Sequence, residues 1–300
     1  MISRAFSPAH ITGFFEICDG NRSPLHVGSR GAGFSIERGM LTKVEIGGLI
    51  GSHVEIRING QRIEDARVSK AIVNRYLSMI ETRPHVRVDH FIDVPIGAGF
   101  GASGAAALSL SLSLNEALET GLSDVEAAQL AHEVEIECKT GLGTIIAEFL
   151  GGFEIRTEPG APGVGKARKI PMNGDYRVVC LSLNRIPTNT IITDEEFKGR
   201  INSRGRAMVG ELLRNPTIEN FLRLSNRFTM QTDLMTERLR KMMFELRERG
   251  YTAGMTMLGE GIFTIVRGNE AEEVMETLGR YGDGGFLTCC RIDDEGAHLL

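Results

Sequence analysis

Three glycines at alternate positions, Gly97, Gly99 and Gly101, lead from Pro95 into the small-residue run Ala102-Ser103-Gly104-Ala105. Glycine accepts positive φ and lets a backbone approach a ligand closely. If a helix begins near Ala102, the N–H groups of the loop and of the first helical turn converge on one spot. The positive end of the helix macrodipole points there too. Such an arrangement is a cradle for an anion, most commonly a nucleotide phosphate. Ser103 places a hydroxyl in it, able to bond a phosphate oxygen or an oxygen bound to a metal. A glycine-rich turn that packs a helix against a sheet has the same spacing, and spacing alone does not separate the two.

Two other glycine patterns compete and lack the right context. Gly99-Phe-Gly-Ala-Ser-Gly104 matches G-x-G-x-x-G, but that fingerprint needs a βαβ unit with an acid about twenty residues on. The elements that follow read as helices, which leaves Glu119 and Asp124 out of place. Gly160-Ala-Pro-Gly-Val-Gly-Lys-Ala167 comes one residue short of a P-loop: Ala167 stands where Ser or Thr would hold magnesium. Lys169-Ile-Pro171 interrupts any helix after it, so the segment reads as a solvated linker.

The elements around the glycine loop follow from periodicity. Alternation over Phe34–Glu37, Thr42–Ile46 and His53–Ile58 predicts strands, with a hairpin turn at Asn59-Gly60. Asp65–Met79 has helical spacing, and His85–Val94 alternates again into the loop. Leu108, Leu110, Leu112 and Leu114 recur with period two, yet fifteen residues without a breaker favour a buried helix. Ser123-x-x-Glu126 is a capping box for a helix ending near Cys138. Glu158–Gly165 reads as a surface loop near a domain boundary. Beyond it come a strand over Tyr176–Leu183, charged helices between Asp194 and Arg249, and strands at Thr252–Leu258 and Ile262–Val266. A helix capped by Asn269 and Glu272 and a strand over Phe286–Ile292 complete the chain. The expected fold is α+β in two lobes, 1–160 and 161–300.

Bulk properties narrow the class. Three hundred residues with 42% hydrophobic content can bury a substantial core. The net charge of −5 and the scattered Lys and Arg argue against a nucleic-acid partner. Five cysteines with no C-x-x-C pattern indicate reduced thiols and a cytoplasmic setting. No apolar stretch approaches a membrane span, and the N-terminus has no long apolar signal core.

The segment from Pro95 to Ala105 resembles the phosphate loop P-x-x-x-G-L-G-S-S-A-A of the GHMP kinases. Ala102 replaces the first serine, Ser103 keeps the second, and Gly104 replaces an alanine. Ser7–Glu16 resembles the family's A-P-G-K-x-x-L-x-G-E segment, with His10 at the lysine position. Ala253–Gly261 falls where the family has its C-terminal glycine motif, with fewer glycines. Within the family, Pro8–Asp19, Gly28–Gly33, Cys138–Thr144 and Met255–Gly259 are most similar to archaeal members acting on pantoate.

This resemblance implies an N-terminal α/β lobe, a ferredoxin-like C-terminal lobe and an active site between them. It implies phosphorylation of the 4-hydroxyl of pantoate by ATP with Mg²⁺, on a route to coenzyme A. Pro95, Gly97, Gly99, Gly101, Ala102, Ser103, Gly104 and Ala105 would hold the ATP phosphates, and Ser103 with Glu135 the Mg²⁺. The alternative for Glu133, Glu135 and Glu137 is a solvated helix face. Many members place an aspartate base where this chain has Thr144, a departure that favours direct attack by the acceptor hydroxyl. His10 is the other candidate for proton transfer, and a satisfied polar residue on a strand is its alternative. Arg30 and Lys139 are the candidate cations for the pantoate carboxylate. Another small alcohol such as homoserine or mevalonate, or a paralogue that binds ATP without turnover, remains open. A homodimer is the expected assembly if the chain self-associates.

Overall fold

The computed structural model describes residues 1–21, 23–48, 53–185, 195–232, 235–257 and 259–300. Two long strands, β1 (Ile2–Cys18) and β2 (Gly28–Ile46), form an antiparallel ribbon that carries the larger sheet. It is extended by β3 (Val54–Ile58), β4 (Gln61–Arg62) and β5 (Val86–Ile92) on the β2 side. A second branch from β2 adds β6 (Phe153–Glu158) and β7 (Lys166–Lys169). The expected strands at 34–37 and 42–46 are thus two stretches of one strand. All pairings are antiparallel except β3 with β5.

The smaller sheet contains β8 (Tyr176–Arg185), β9 (Gly254–Met255), β10 (Gly259–Arg267) and β11 (Phe286–Cys290), in the order β11-β8-β10-β9. Numbered within this lobe the order is 4-1-3-2, the ferredoxin-like arrangement. The chain ends with β12 (His298–Leu299), which returns to pair with β1.

Helices α1 (Arg67–Leu77), α2 (Ala102–Leu118), α3 (Asp124–Cys138) and α4 (Ile145–Leu150) cover the larger sheet. Helices α5 (Glu195–Arg214), α6 (Ile218–Gln231), α7 (Glu237–Glu248) and α8 (Ala271–Gly279) belong to the second half. The period-two leucines lie on α2, and all four are buried. The intervening serines are buried as well: Ser109 donates to the Ala105 carbonyl and Ser111 to that of Ala127. A helix enclosed on every side needs no polar face, so its leucines carry no helical period. The Ser123–Glu126 capping box forms as expected.

The two halves share one apolar core. Phe14, Phe34 and Phe153 from the larger sheet meet Phe221 of α6 and Phe263 of β10. Aromatic contacts of this kind add to burial of the ring area itself. Position 160 falls inside the larger sheet, because β7 still pairs with β6, and the change of sheet comes after Lys169. The 159–165 segment is not a solvated linker: Gly160, Ala161 and Pro162 are buried, and the Ala161 N–H donates to the Leu25 carbonyl. Lys166 opens β7 and pairs with Glu158. At α8 the expected Asn269 cap is absent; Glu270 instead accepts from the Arg267 N–H just upstream. Asp194 and Leu258, the ends of two expected elements, lie outside the described residues.

Candidate active site

A cavity of about 660 Å³ opens between the glycine loop, the middle of β1, the start of β2 and the C-terminal end of α3. The loop leaves β5 and enters α2 through Gly97, Gly99 and Gly101, with φ of +75°, +85° and +65°. L-residues rarely adopt that region. Sterics add a second demand. A Cβ on Gly99 would sit 2.6 Å from the Met257 carbonyl oxygen, and one on Gly101 would strike the Glu148 carboxylate. Gly104 has Thr144 Oγ1 and Glu148 Oε2 each 2.6 Å from where its Cβ would be.

Two hydrogen bonds hold the loop in place. The His10 N–H donates to the Phe100 carbonyl (3.0 Å), and Thr256 Oγ1 donates to that of Ala98 (3.3 Å). The loop is therefore fastened to both sheets. Gly259 and Gly99 let the segment around Met257 and the loop lie back to back, which accounts for glycine in the C-terminal motif.

Helix α2 starts at Gly101 with no side-chain cap and no acid in its first turn. Its first N–H groups are left for a ligand. Gly97, Gly99, Gly101, Ala102 and Ser103 line the cavity, together with Ile96 and Phe100. Pro95, Gly104 and Ala105, expected at the phosphates, do not line it. The Ala105 N–H is taken by the Gly101 carbonyl, because Ala105 already lies one turn inside the helix.

The three alternate acids of α3 separate in space. Glu133 and Glu137 pair with Arg75 at the surface. Glu135 is 1% exposed, lines the cavity and keeps Oε2 without a hydrogen bond. Burial pushes its carboxyl up to about 7. Thus a solvated face describes Glu133 and Glu137 but not Glu135. Gly141 backs onto the Glu135 carboxylate with no room for a Cβ. Lys139, the left-handed cap of α3, is exposed and lines the cavity, as does Thr144 at the start of α4.

On the inner side the β1 residues His10, Thr12 and Phe15 face the cavity. A register shift between Thr12 and Phe14 makes Gly13 an extra residue, so the inward parity passes from Thr12 to Phe15. Beneath them lies a buried polar layer. His10 Nε2 is 3.2 Å from Glu154 Oε2, and Nδ1 is 3.3 Å from Thr12 Oγ1. Arg156 Nη2 donates to Thr12 Oγ1 (3.3 Å), and Nη1 lies 3.1 Å from Glu154 Oε1. Burial holds the His10 ring below its ordinary pKa, against the pull of Glu154. A neutral imidazole that donates from Nε2 to Glu154 and accepts at Nδ1 from Thr12 satisfies both ring nitrogens, a tautomer assigned from these partners, while Glu154 Oε1 and Arg156 Nε keep no hydrogen bond. Both nitrogens are then engaged by protein. Glu148 completes the layer: both its oxygens lack partners, and burial followed by the Glu135 charge raises it well above the usual range.

Arg30 is not brought to the cavity. It sits opposite Glu16 in the β1–β2 register, and its Nη1 donates to Glu16 Oε2 (3.2 Å). Arg206 takes the other Glu16 oxygen. Neighbours that sequence reading missed include Thr12, Ser29, Arg67, Thr140 and Met257. Among the described residues no three His, Cys, Asp or Glu side chains converge as a metal cluster, and no helix is long and apolar enough to cross a membrane.

A backbone cradle for an anion beside an unpaired buried carboxylate is the equipment of phosphoryl transfer, which needs positioning and charge neutralisation above all. Residues 66–152 match the model of the GHMP kinases N terminal domain. The chain is 35% identical over 283 residues to the pantoate kinase of Thermococcus kodakarensis, covering 93% of this chain and 92% of that one. Identity to the pantoate kinase of Methanocaldococcus jannaschii is 35% over 275 residues, 91% of this chain and 96% of the relative. A solved phosphotransferase related to the CoA biosynthesis pathway superposes with a TM-score of 0.91 at 32% identity, covering 100% of this chain and 99% of the other. Homoserine kinase from Cytophaga hutchinsonii shares the fold, with a TM-score of 0.74 at 13% identity and coverage of 100% and 97%. The chain belongs to the GHMP kinase family, in its pantoate kinase branch.

Proposed function

We infer that this chain transfers the γ-phosphoryl group of ATP to the 4-hydroxyl of pantoate, giving 4-phosphopantoate for coenzyme A synthesis. Family membership supports the reaction class. The observation that carries the reading on this chain's own residues is the uncapped start of α2, which opens on the same cavity as Glu135.

The loop amides from Gly97 to Ser103 hold the phosphates. Glu135 fits a divalent cation: it is buried, its Oε2 is unpartnered, and an adjacent positive charge would offset the burial that raises it. Ser103 and Glu135 would hold Mg²⁺, which needs few protein ligands because it retains water. When bound, the ion neutralises charge that spreads over the phosphoryl oxygens.

The acceptor occupies the inner end, against Thr12, Ser29 and Thr144. His10 fixes Thr12 through Nδ1, so its role is to position that hydroxyl. Thr144 is no base. The acceptor hydroxyl attacks directly and loses its proton late, as a loose transition state allows. Lys139 supplies the cation on the cavity rim for the acceptor carboxylate.

The test is ADP release with and without pantoate and Mg²⁺, with homoserine and mevalonate as competing acceptors. Release that depends on pantoate and on Mg²⁺ supports the reading. Turnover confined to another alcohol, or nucleotide binding with no ADP formed, overturns it.

A further inference from the structure

We propose that Arg67 is a second nucleotide-binding group of this site, a side-chain clamp on the ATP phosphates facing the backbone cradle. The inference rests on the reading above that the phosphates lie along residues 97–103.

Arg67 is exposed and lines the cavity. Among the described residues no carboxylate pairs with it, whereas Arg57, Arg75 and Arg87 nearby in the chain each have an acid partner. It also stands where a helix disfavours a cation. Arg67 is the first residue of α1, at the positive end of the macrodipole, and α1 has neither a side-chain cap nor an acid in its first turn. The uncapped start of α2 opens on the same cavity. Two positive helix ends, Arg67 and Lys139 thus face one space in a chain of net charge −5. The one acid lining that space among the described residues is Glu135. Lys139 caps the negative end of α3, so an anion in the cavity would be met by Arg67 and the uncapped start of α2.

Packing places Arg67 on one side of the cavity. Helix α1 lies against α2, whose start is the cradle, and against α3, so Arg67 enters the cavity from the helical side, whereas His10, Thr12 and Ser29 enter it from β1 and β2. The helical side carries the start of α2, where the reading above puts the phosphates. A planar guanidinium offers two parallel N–H donors to phosphate oxygens, which an ammonium cannot reproduce.

The experiment measures binding of a non-hydrolysable ATP analogue with Mg²⁺, and both KM values, for wild type, Arg67→Ala, Arg67→Lys and Lys139→Ala, with melting curves for each. Arg67→Ala should weaken the analogue about tenfold or more, the worth of a charge-assisted contact. It should raise the KM for ATP by a similar factor and leave that for pantoate within about twofold. Arg67→Lys should recover part of the loss. Added salt should weaken the analogue more in wild type than in Arg67→Ala. Lys139→Ala should act in the opposite direction, on pantoate. Wild-type affinity in a folded Arg67→Ala, or a rise of both KM values together, overturns the inference alone. Failure of wild type to bind the analogue overturns the reading of the cavity and the inference with it.

Discussion

The two walls of the cavity are built from different materials. The outer wall, residues 96–103, is backbone held open by glycine, and its chemistry lies in N–H groups that exist in any sequence. The inner wall is side chain: His10, Thr12, Glu154 and Arg156 interlock under β1, with Glu148 beside them. The first wall tolerates almost any neighbour but no Cβ at its glycines. The second tolerates no change of partner, because each group depends on another for its hydrogen bond. The cradle thus depends on glycine, while the buried layer depends on its particular side chains.

The largest effects should come from breaking the outer wall. Gly101→Ala puts a Cβ at φ +65° against Glu148. Its kcat/KM should fall roughly 10²- to 10³-fold, the scale of losing preorganised donors. Glu135→Gln should cost turnover on a similar scale while stabilising the metal-free protein. The sign follows from the shift. Glu135 titrates at about 7 in the folded chain against 4.5 unfolded. The native state therefore holds this proton more tightly. Its contribution to stability is full below pH 4.5 and is lost as pH rises through 7, by about 3 kcal/mol. Denaturant melts at pH 5 and pH 8 should show a larger loss in wild type than in Glu135→Gln, where buried Glu148 still contributes with the same sign. Mg²⁺ should stabilise wild type more at pH 8 than at pH 5.

The inner wall should fail in stability before it fails in chemistry. His10→Ala leaves Glu154 Oε2 buried without its partner, at a cost of about 1–3 kcal/mol. Its KM for pantoate should rise more than that for ATP, and equal rises would blur the division between the walls. Arg30→Ala should be the mildest. Arg30 is held by Glu16 outside the cavity, so the change should stay within about 1 kcal/mol and move neither KM beyond about twofold. A large, selective rise in the KM for pantoate would return Arg30 to the acceptor site.

Legibility in the sequence divides along the same line. The glycine spacing at 97, 99 and 101 is local, and each position has a backbone reason, so the loop and the start of α2 could be read directly. Glu135 could be singled out only by family resemblance, since alternate acids on α3 look alike until Arg75 takes Glu133 and Glu137. The inner layer joins residues 144 positions apart, His10 to Glu154, and no spacing rule reaches that far. Thr12 and Phe15 were hidden by the bulge at Gly13, which breaks the alternation that would have placed both on one face. Arg30 misled for the converse reason: a cation beside glycines looks available until Glu16 is found across the ribbon. The 159–165 segment, buried at 160–162, looks like a linker in the sequence because composition says nothing about what covers a loop.

The central claim is that the backbone from Gly97 to Ser103 holds the phosphates of ATP. A crystal structure with a non-hydrolysable ATP analogue, Mg²⁺ and pantoate tests it most directly. The account predicts phosphate oxygens at hydrogen-bonding distance from the amide nitrogens at the start of α2, with the ion on Glu135. Phosphates bound elsewhere in the cavity, with those amides facing packed side chains or water, would contradict it.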